Sequence, residues 1–91
     1  MNIRASIIVT GRVQGVFFRD FTRENAIKLD LTGWVRNLPN GSVESMAEGE
    51  KEDILKLIEH LKQGPSAANV KEVKVNWQKY VGKCTDFSIQ Y

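Results

Sequence analysis

The spacing of apolar residues switches repeatedly between two periods along this chain, and that switching constrains the fold more than any other feature. Apolar residues recur every three or four positions in two stretches, which is typical of amphipathic helices. One such stretch runs from Phe18 to residues 28–30, and the other runs from Glu50 to the pair Gly64-Pro65. Apolar residues alternate with other residues in further stretches, as in strands with one buried face. This alternation predicts strands over residues 3–9, 73–77 and 87–91, and two further strands are predicted over residues 33–38 and 42–48, on either side of Pro39-Asn40-Gly41.

This order of elements predicts an α+β fold of the ferredoxin-like (βαββαβ) sandwich type. In that arrangement two helices cover one face of an antiparallel sheet, and here an additional C-terminal strand follows. Pro39-Asn40-Gly41 predicts a hairpin turn between the second and third strands. The length of 91 residues predicts a single domain over residues 1–91. Because this fold hosts many functions, function has to be argued from particular residues.

Cysteine usage and hydropathy predict where the protein works. Cys84 is the only cysteine, so no intramolecular disulfide can form. The first residues lack the apolar run of a secretion signal, and no stretch approaches the roughly 20 apolar residues that span a membrane. We therefore expect a cytoplasmic protein without a membrane segment. The small size and the lack of a long apolar patch in the helix pattern favour a monomer.

The charged residues argue against a nucleic-acid partner. The net charge is only +2, which does not indicate nucleic-acid binding by itself. Binding RNA on the sheet needs stacking aromatic residues, and the predicted third strand has none and carries two carboxylates.

Four of the five arginines nevertheless fall between positions 12 and 36, namely Arg12, Arg19, Arg23 and Arg36. We interpret Arg4 and Arg23 as surface charge and leave the roles of Arg12 and Arg36 open.

The segment Gly11–Arg19 joins the first strand directly to the first helix. Its two glycines, four residues apart, allow a tight turn that exposes backbone N–H groups, and such groups can form a nest for an anion. The segment leads into a helix N-terminus, where free N–H groups and the positive end of the dipole coincide. Arg19 can add a guanidinium fork that fits two phosphate oxygens. The residues alone also allow a purely structural turn.

Asn37 ends the predicted strand before the hairpin. Strand parity places Val35 and Asn37 on one face, and Trp34 and Arg36 on the other. If Val35 faces the core, the Asn37 amide lies near a buried surface and needs hydrogen-bond partners. It could cap the turn that follows, or it could orient a water molecule, but it cannot act as a general acid or base.

The chain lacks the usual equipment of a strongly basic or covalent active site. His60 is the only histidine and is expected on the surface of the second helix, while Cys84 is expected to be a structural thiol at the start of the last strand. No set of residues has metal-ligand spacing. The acidic residues Glu48, Glu50, Glu52 and Asp53 are interpreted as a helix start. An enzyme of this kind would suit a substrate with a good leaving group, activated by positioning and charge stabilisation.

Two long motifs at a defined separation resemble the acylphosphatase family. They are Gly11–Arg19 and residues 33–44, and the later Gln63-Gly64-Pro65 also fits. The resemblance covers essentially the whole chain and implies hydrolysis of the carboxyl-phosphate bond of small acyl phosphates by water, with no metal and no cofactor. It implies that Asn37 orients the attacking water and that Arg19 binds the phosphate. Backbone amides would share that binding, from Gln14, Gly15, Val16, Phe17 and Phe18.

Two questions stay open at this stage. A phosphate-binding module without turnover is the alternative function, and tight phosphate binding without hydrolysis would favour it. The physiological acyl group is not readable, because the loop contacts the phosphate and little identifies a pocket for the rest of the substrate.

Overall fold

The structure is a computed structural model that describes residues 1–91. It contains five strands and two helices in the predicted order. Their bounds are β1 Asn2–Arg12, α1 Phe18–Lys28, β2 Thr32–Asn37, β3 Val43–Glu50, α2 Lys51–Gln63, β4 Asn69–Gln78 and β5 Phe87–Gln90. No helix has the length and apolar character needed to cross a membrane.

The five strands form one sheet in the order β4-β1-β3-β2-β5. The first four strands pair antiparallel to their neighbours, as predicted for the ferredoxin-like core. The additional strand β5 pairs with β2 in parallel, so the complete sheet is mixed. This direction follows from the connection, because β4 runs antiparallel to β2 and ends at the end of the sheet where β2 begins, and β5 starts there after the chain has crossed to the opposite edge.

Both helices pack on one face of the sheet and enclose its core. The helices contribute Phe18, Ala26, Ile54, Leu57, Ile58 and Leu61, and the strands contribute alternate residues such as Ala5, Ile7, Val9, Val35, Val43 and Ala47. Strand parity is as predicted: Val35 is fully buried on the helix face, whereas Arg36 is exposed on the other. Asn37 shares the face of Val35 and so lies at the end of the core.

The opposite face of the sheet is crossed by the connection between β4 and β5, residues 79–86. Glu48 lies beneath it in β3 with only 1% exposure, and its carboxylate accepts hydrogen bonds from the backbone N–H groups of Val81 and Gly82 at 2.6 and 3.2 Å. The acidic run predicted that Glu48 belongs to a helix start, and this prediction is wrong. The first turn of α2 holds Glu52 and Asp53 instead. Cys84 belongs to this crossing connection, before β5 begins.

Candidate active site

The connection between β1 and α1 is shaped by backbone conformation and by buried anchors. Val13, Val16 and Phe18 point into the core and are at most 6% exposed. Between them, Gly15 and Phe17 adopt left-handed conformations with φ of 72° and 62°. For phenylalanine this region is unfavourable, and residues held in it cluster at functional sites. The Phe17 side chain is 79% exposed, so packing of the ring does not explain the conformation.

The backbone amides of this loop have no partner within the protein. None of the N–H groups of Gln14 to Phe18 donates a hydrogen bond to a backbone carbonyl or to a side chain. Phe17 is the N-cap residue of α1 and provides no side-chain cap. Free amides at a helix N-terminus combine hydrogen-bond donors with the positive end of the helix dipole. The loop therefore has the character of an anion-binding nest.

The two glycines of the loop serve different purposes. Gly15 has open space around the position of a Cβ atom, so only its positive φ requires glycine. At Gly11 a Cβ atom would lie 2.2 Å from the backbone oxygen of Asn69 in β4. Gly11 thus permits a close approach between β1 and β4, at the point where their register shifts. Only Gly15 contributes to the turn that exposes the amides.

Arg19 lies in the first turn of α1 and carries a charge that no carboxylate neutralises. Its Nη1 atom is 3.5 Å from the backbone oxygen of Gln90, and its guanidinium carbon is 4.8 Å from the centre of the Tyr91 ring. Arg19 takes part in no salt bridge. The side chain is thus held by the C-terminal strand through weak contacts, and its donors remain available to an anion.

Asn37 does not cap the hairpin turn. The turn is capped by Asn40, whose Oδ1 atom accepts a hydrogen bond from the backbone N–H of Ser42 at 3.0 Å. The Oδ1 atom of Asn37 is buried and has no hydrogen-bond partner in the protein. A buried amide oxygen without a partner is rare and needs a ligand or a water molecule to satisfy it. Of the two interpretations of Asn37, capping of the turn is therefore excluded.

One cavity of about 260 Å³ brings the principal candidate residues together. Arg19, Asn37, Gly15, Phe17 and Phe18 all line it. Val16 and Gln14 do not line it, because the Val16 side chain is buried in the core and the Gln14 side chain is directed to the hairpin turn, although their backbone N–H groups are unpaired like those of the other loop residues. The full lining is Val13, Gly15, Phe17, Phe18, Arg19, Asp20, Asn37, Ile89 and Tyr91.

The other arginines lie outside this cavity. Arg36 pairs with Glu44 on the opposite face of the sheet, with Nη2 and Oε1 2.7 Å apart. Arg23 donates from Nε to the backbone oxygen of Phe87 and so ties β5 to α1, which is a more definite role than surface charge. Arg12 is exposed and forms no ion pair. The density of arginines along the sequence therefore does not become a cluster in space.

Four contributors to the site escape sequence reasoning. Asp20, Ile89 and Tyr91 line the cavity, and the Gln14 side chain joins the loop to the turn. Asp20 could have been predicted as a site residue, because it lies next to Arg19 in the first turn of α1. Ile89 and Tyr91 could not, because they reach the cavity only through the parallel pairing of β5 with β2.

Comparisons with known proteins give consistent matches over nearly the whole chain. The family model described as Acylphosphatase matches residues 5–89. The chain is 47% identical over 88 residues to an acylphosphatase of Pelotomaculum thermopropionicum, with 97% of this chain and 96% of the relative covered. It is 46% identical over 91 residues to an acylphosphatase of Geotalea uraniireducens, with both chains covered completely. Among solved structures, it resembles the crystal structure of acylphosphatase from Bacillus subtilis at a TM-score of 0.94 and 38% identity, covering 98% and 99% of the two chains.

Proposed function

We propose, from the premise that this chain belongs to the acylphosphatase family and is an enzyme that hydrolyses acyl phosphates, that the cavity between α1 and the end of β2 is its active site. One observation carries this proposal. One cavity is lined by three residues with unpaired backbone amides (Gly15, Phe17 and Phe18), by an arginine without a carboxylate partner, and by an asparagine whose amide oxygen has no partner. The first two suit a phosphate group and the third suits a water molecule.

The phosphate group binds to the loop in this proposal. The N–H groups of Gln14 to Phe18 donate to its oxygens, and Arg19 adds a charged fork from the first turn of α1. As phosphoryl transfer proceeds, these fixed donors stabilise the charge on the equatorial oxygens without having to reorganise. Binding and charge stabilisation thus use the same groups.

The water molecule is placed by Asn37. The Oδ1 atom accepts a hydrogen bond from the water, whose oxygen then bonds to phosphorus as the P–O bond to the acyl oxygen breaks. The acyl group leaves as a carboxylate anion and needs no proton, while the proton lost by the water goes to the phosphate product. Because the leaving group is good, placing the water can replace a strong general base.

The same arrangement defines the reactants that we propose. The substrates are small-molecule acyl phosphates and water, the catalyst is a monomer, and neither a metal ion nor a cofactor takes part. Hydrolysis in the presence of EDTA at the rate seen without it is the expected result. A loss of rate in EDTA that added divalent cations restore would contradict this part of the proposal.

The residue roles are tested by hydrolysis of benzoyl phosphate. Removing the Arg19 fork by Arg19→Ala should cost at least about 1.5–3 kcal/mol in kcat/KM, the value of a hydrogen bond to a charged group. Asn37→Ala should lower kcat by about 100- to 1,000-fold, comparable to the loss of one oxyanion-hole donor.

Two matched variants control for general effects of these changes. Arg36→Ala removes an arginine from the same strand as Asn37 but from the opposite sheet face. Asn76→Ala removes an exposed asparagine from β4. Both should retain the wild-type rate. A full rate for Arg19→Ala or for Asn37→Ala would contradict the role given to that residue.

A further inference from the structure

The Gln14 side chain makes two hydrogen bonds that the reaction as described does not use. Its Nε2 atom donates to the backbone oxygen of Leu38 at 2.8 Å and to that of Ser42 at 2.9 Å. Both partners are carbonyl oxygens, so only the NH₂ end of the amide fits there. Both hydrogens of this nitrogen are therefore engaged.

The two carbonyls belong to the frame of the β2–β3 turn. The Leu38 oxygen also accepts from the N–H of Gly41 at 3.1 Å, and the Ser42 oxygen accepts from the N–H of Leu38 at 2.8 Å. Gln14 thus donates to both ends of a turn that is already closed by its own backbone. Asn37 is the last residue of β2, paired with Val43, and Leu38 directly follows it, so a shift of this turn would also move the Asn37 amide.

The loop and Asn37 have no direct connection through the sheet. Strand β3 lies between β1, which leads into the loop, and β2, which ends at Asn37. Neighbouring strands are about 4.8 Å apart, so β1 and β2 lie about 10 Å apart on the two sides of β3. No other side-chain hydrogen bond joins the loop to the turn, and Gln14 bridges them above the start of β3.

We infer that the Gln14 side chain is a positioning residue that fixes the distance between the phosphate loop and Asn37. The inference rests on the proposed function, because it requires phosphate at the loop and water at Asn37. Attack in line with the leaving group requires the water at Asn37 to be aligned with the phosphate at the loop. A displacement of about 1 Å can lower the rate about 100-fold. The side chain would therefore act on the chemical step without touching substrate.

The test is Gln14→Met, which keeps a side chain of similar length and removes both donors. We expect kcat for benzoyl phosphate to fall by about 10- to 100-fold, with little change in the inhibition constant of inorganic phosphate. Combined with Asn37→Ala, the variant should cause no further loss, because Gln14 acts through Asn37. The matched control is Gln63→Met at the exposed end of α2, which should keep the wild-type kcat.

Gln14→Glu gives a second readout if Gln14→Met folds poorly. Its ionised carboxylate cannot donate and faces two carbonyl oxygens, so at neutral pH its kcat should fall at least as far as that of Gln14→Met. Protonation restores one O–H donor. The ratio of the kcat of Gln14→Glu to that of the wild-type enzyme should therefore rise as the pH approaches about 4, near the ordinary pKa of a glutamate.

Each other outcome identifies which proposal fails. An unchanged kcat for Gln14→Met, losses that multiply with Asn37→Ala, or a weakening of phosphate inhibition equal to the loss in kcat would each overturn the inference about Gln14. A ratio that stays flat with pH would overturn it as well. A full rate for Asn37→Ala alone would instead overturn the role of Asn37 in the proposed function.

Discussion

At the scale of single residues, Asp20 gives the cavity an asymmetric charge. It is exposed, lines the cavity next to Arg19 and forms no salt bridge. Glu24, one turn further along α1, does not line the cavity but lines an adjoining groove together with Phe17 and Asp20. A phosphate bound by the loop and Arg19 would leave its acyl group in a space bordered by negative charge. Acyl groups with a second anionic group should therefore be disfavoured.

This effect can be measured with two substrates of equal length. Asp20→Asn should raise kcat/KM for succinyl phosphate relative to butyryl phosphate by about two- to fivefold, since exposed charges interact weakly. The ratio of the two kcat/KM values isolates the effect on the acyl group, because both substrates carry the same phosphate. The advantage should shrink as ionic strength rises. Glu52→Gln, which removes a carboxylate from the first turn of α2, should leave the ratio unchanged. Equal responses of the two substrates to Asp20→Asn would show that this charge does not select among acyl groups.

At the scale of elements, the loop between β1 and α1 divides its two glycines between packing and function. Gly11 belongs to the β1–β4 pairing, whereas Gly15 belongs to the turn that exposes the amides. In the sequence motif both glycines belong to one loop. Their roles differ in the structure because only Gly11 packs closely against β4. A substitution at each position should therefore damage a different property.

Alanine at these two positions should separate stability from activity. Gly15→Ala meets no neighbouring atom and should cost about 1–2 kcal/mol in the free energy of unfolding, the penalty for a left-handed L-residue. Gly11→Ala also places an L-residue at a positive φ, and in addition it forces β4 to shift. That shift should add about 1–3 kcal/mol to the loss in the free energy of unfolding. Urea denaturation measures the two losses. Benzoyl phosphate hydrolysis should be reduced more by Gly15→Ala, because its φ sets the direction of the loop amides. Equal unfolding energies for the two variants would contradict this division.

At the scale of the whole molecule, the connection across the open sheet face ties the two edges of the sheet together. It leaves β4 at one edge and delivers β5 to the other, where Ile89 and Tyr91 line the cavity. The carboxylate of Glu48, in the central strand β3, holds this connection by the N–H groups of Val81 and Gly82. A buried charge with hydrogen bonds of this kind contributes more than an exposed ion pair.

Glu48→Gln should lower the free energy of unfolding by about 1.5–3 kcal/mol, because one charged acceptor oxygen becomes a neutral one and the other is replaced by an NH₂ group that faces a backbone N–H donor. Glu44→Gln is the matched control on the same strand and the same sheet face. It removes the surface ion pair with Arg36 and should cost no more than about 1 kcal/mol. Denaturant titration of both variants decides the comparison. A smaller loss at Glu48 than at Glu44 would mean that the connection holds without the carboxylate.

The sequence by itself determined the local structure and the places of Arg19 and Asn37 within it. The periods of 2 and 3.6 located three strands and both helices, since burial of one face depends only on the spacing of neighbouring side chains, and Pro39-Asn40-Gly41 located the turn between the other two strands. The order of elements implied the sandwich, and strand parity placed Asn37 on the helix face beside Val35. The positions of Arg19 and of the loop at the N-terminus of α1 followed from the same local rules.

The tertiary structure alone decided which distant residues meet. In the fold, β5 pairs with β2 in parallel, and Asp20, Ile89 and Tyr91 line one cavity. Glu48, which the acidic run assigned to a helix start, is buried under the connection between β4 and β5. The fold also directs the Gln14 side chain to the turn after Asn37. Such contacts join residues that are far apart in the chain and depend on strand order and on the paths of connections. Residue spacing carries no signal for either, because periodicity reports which face of an element is buried and not which element covers it.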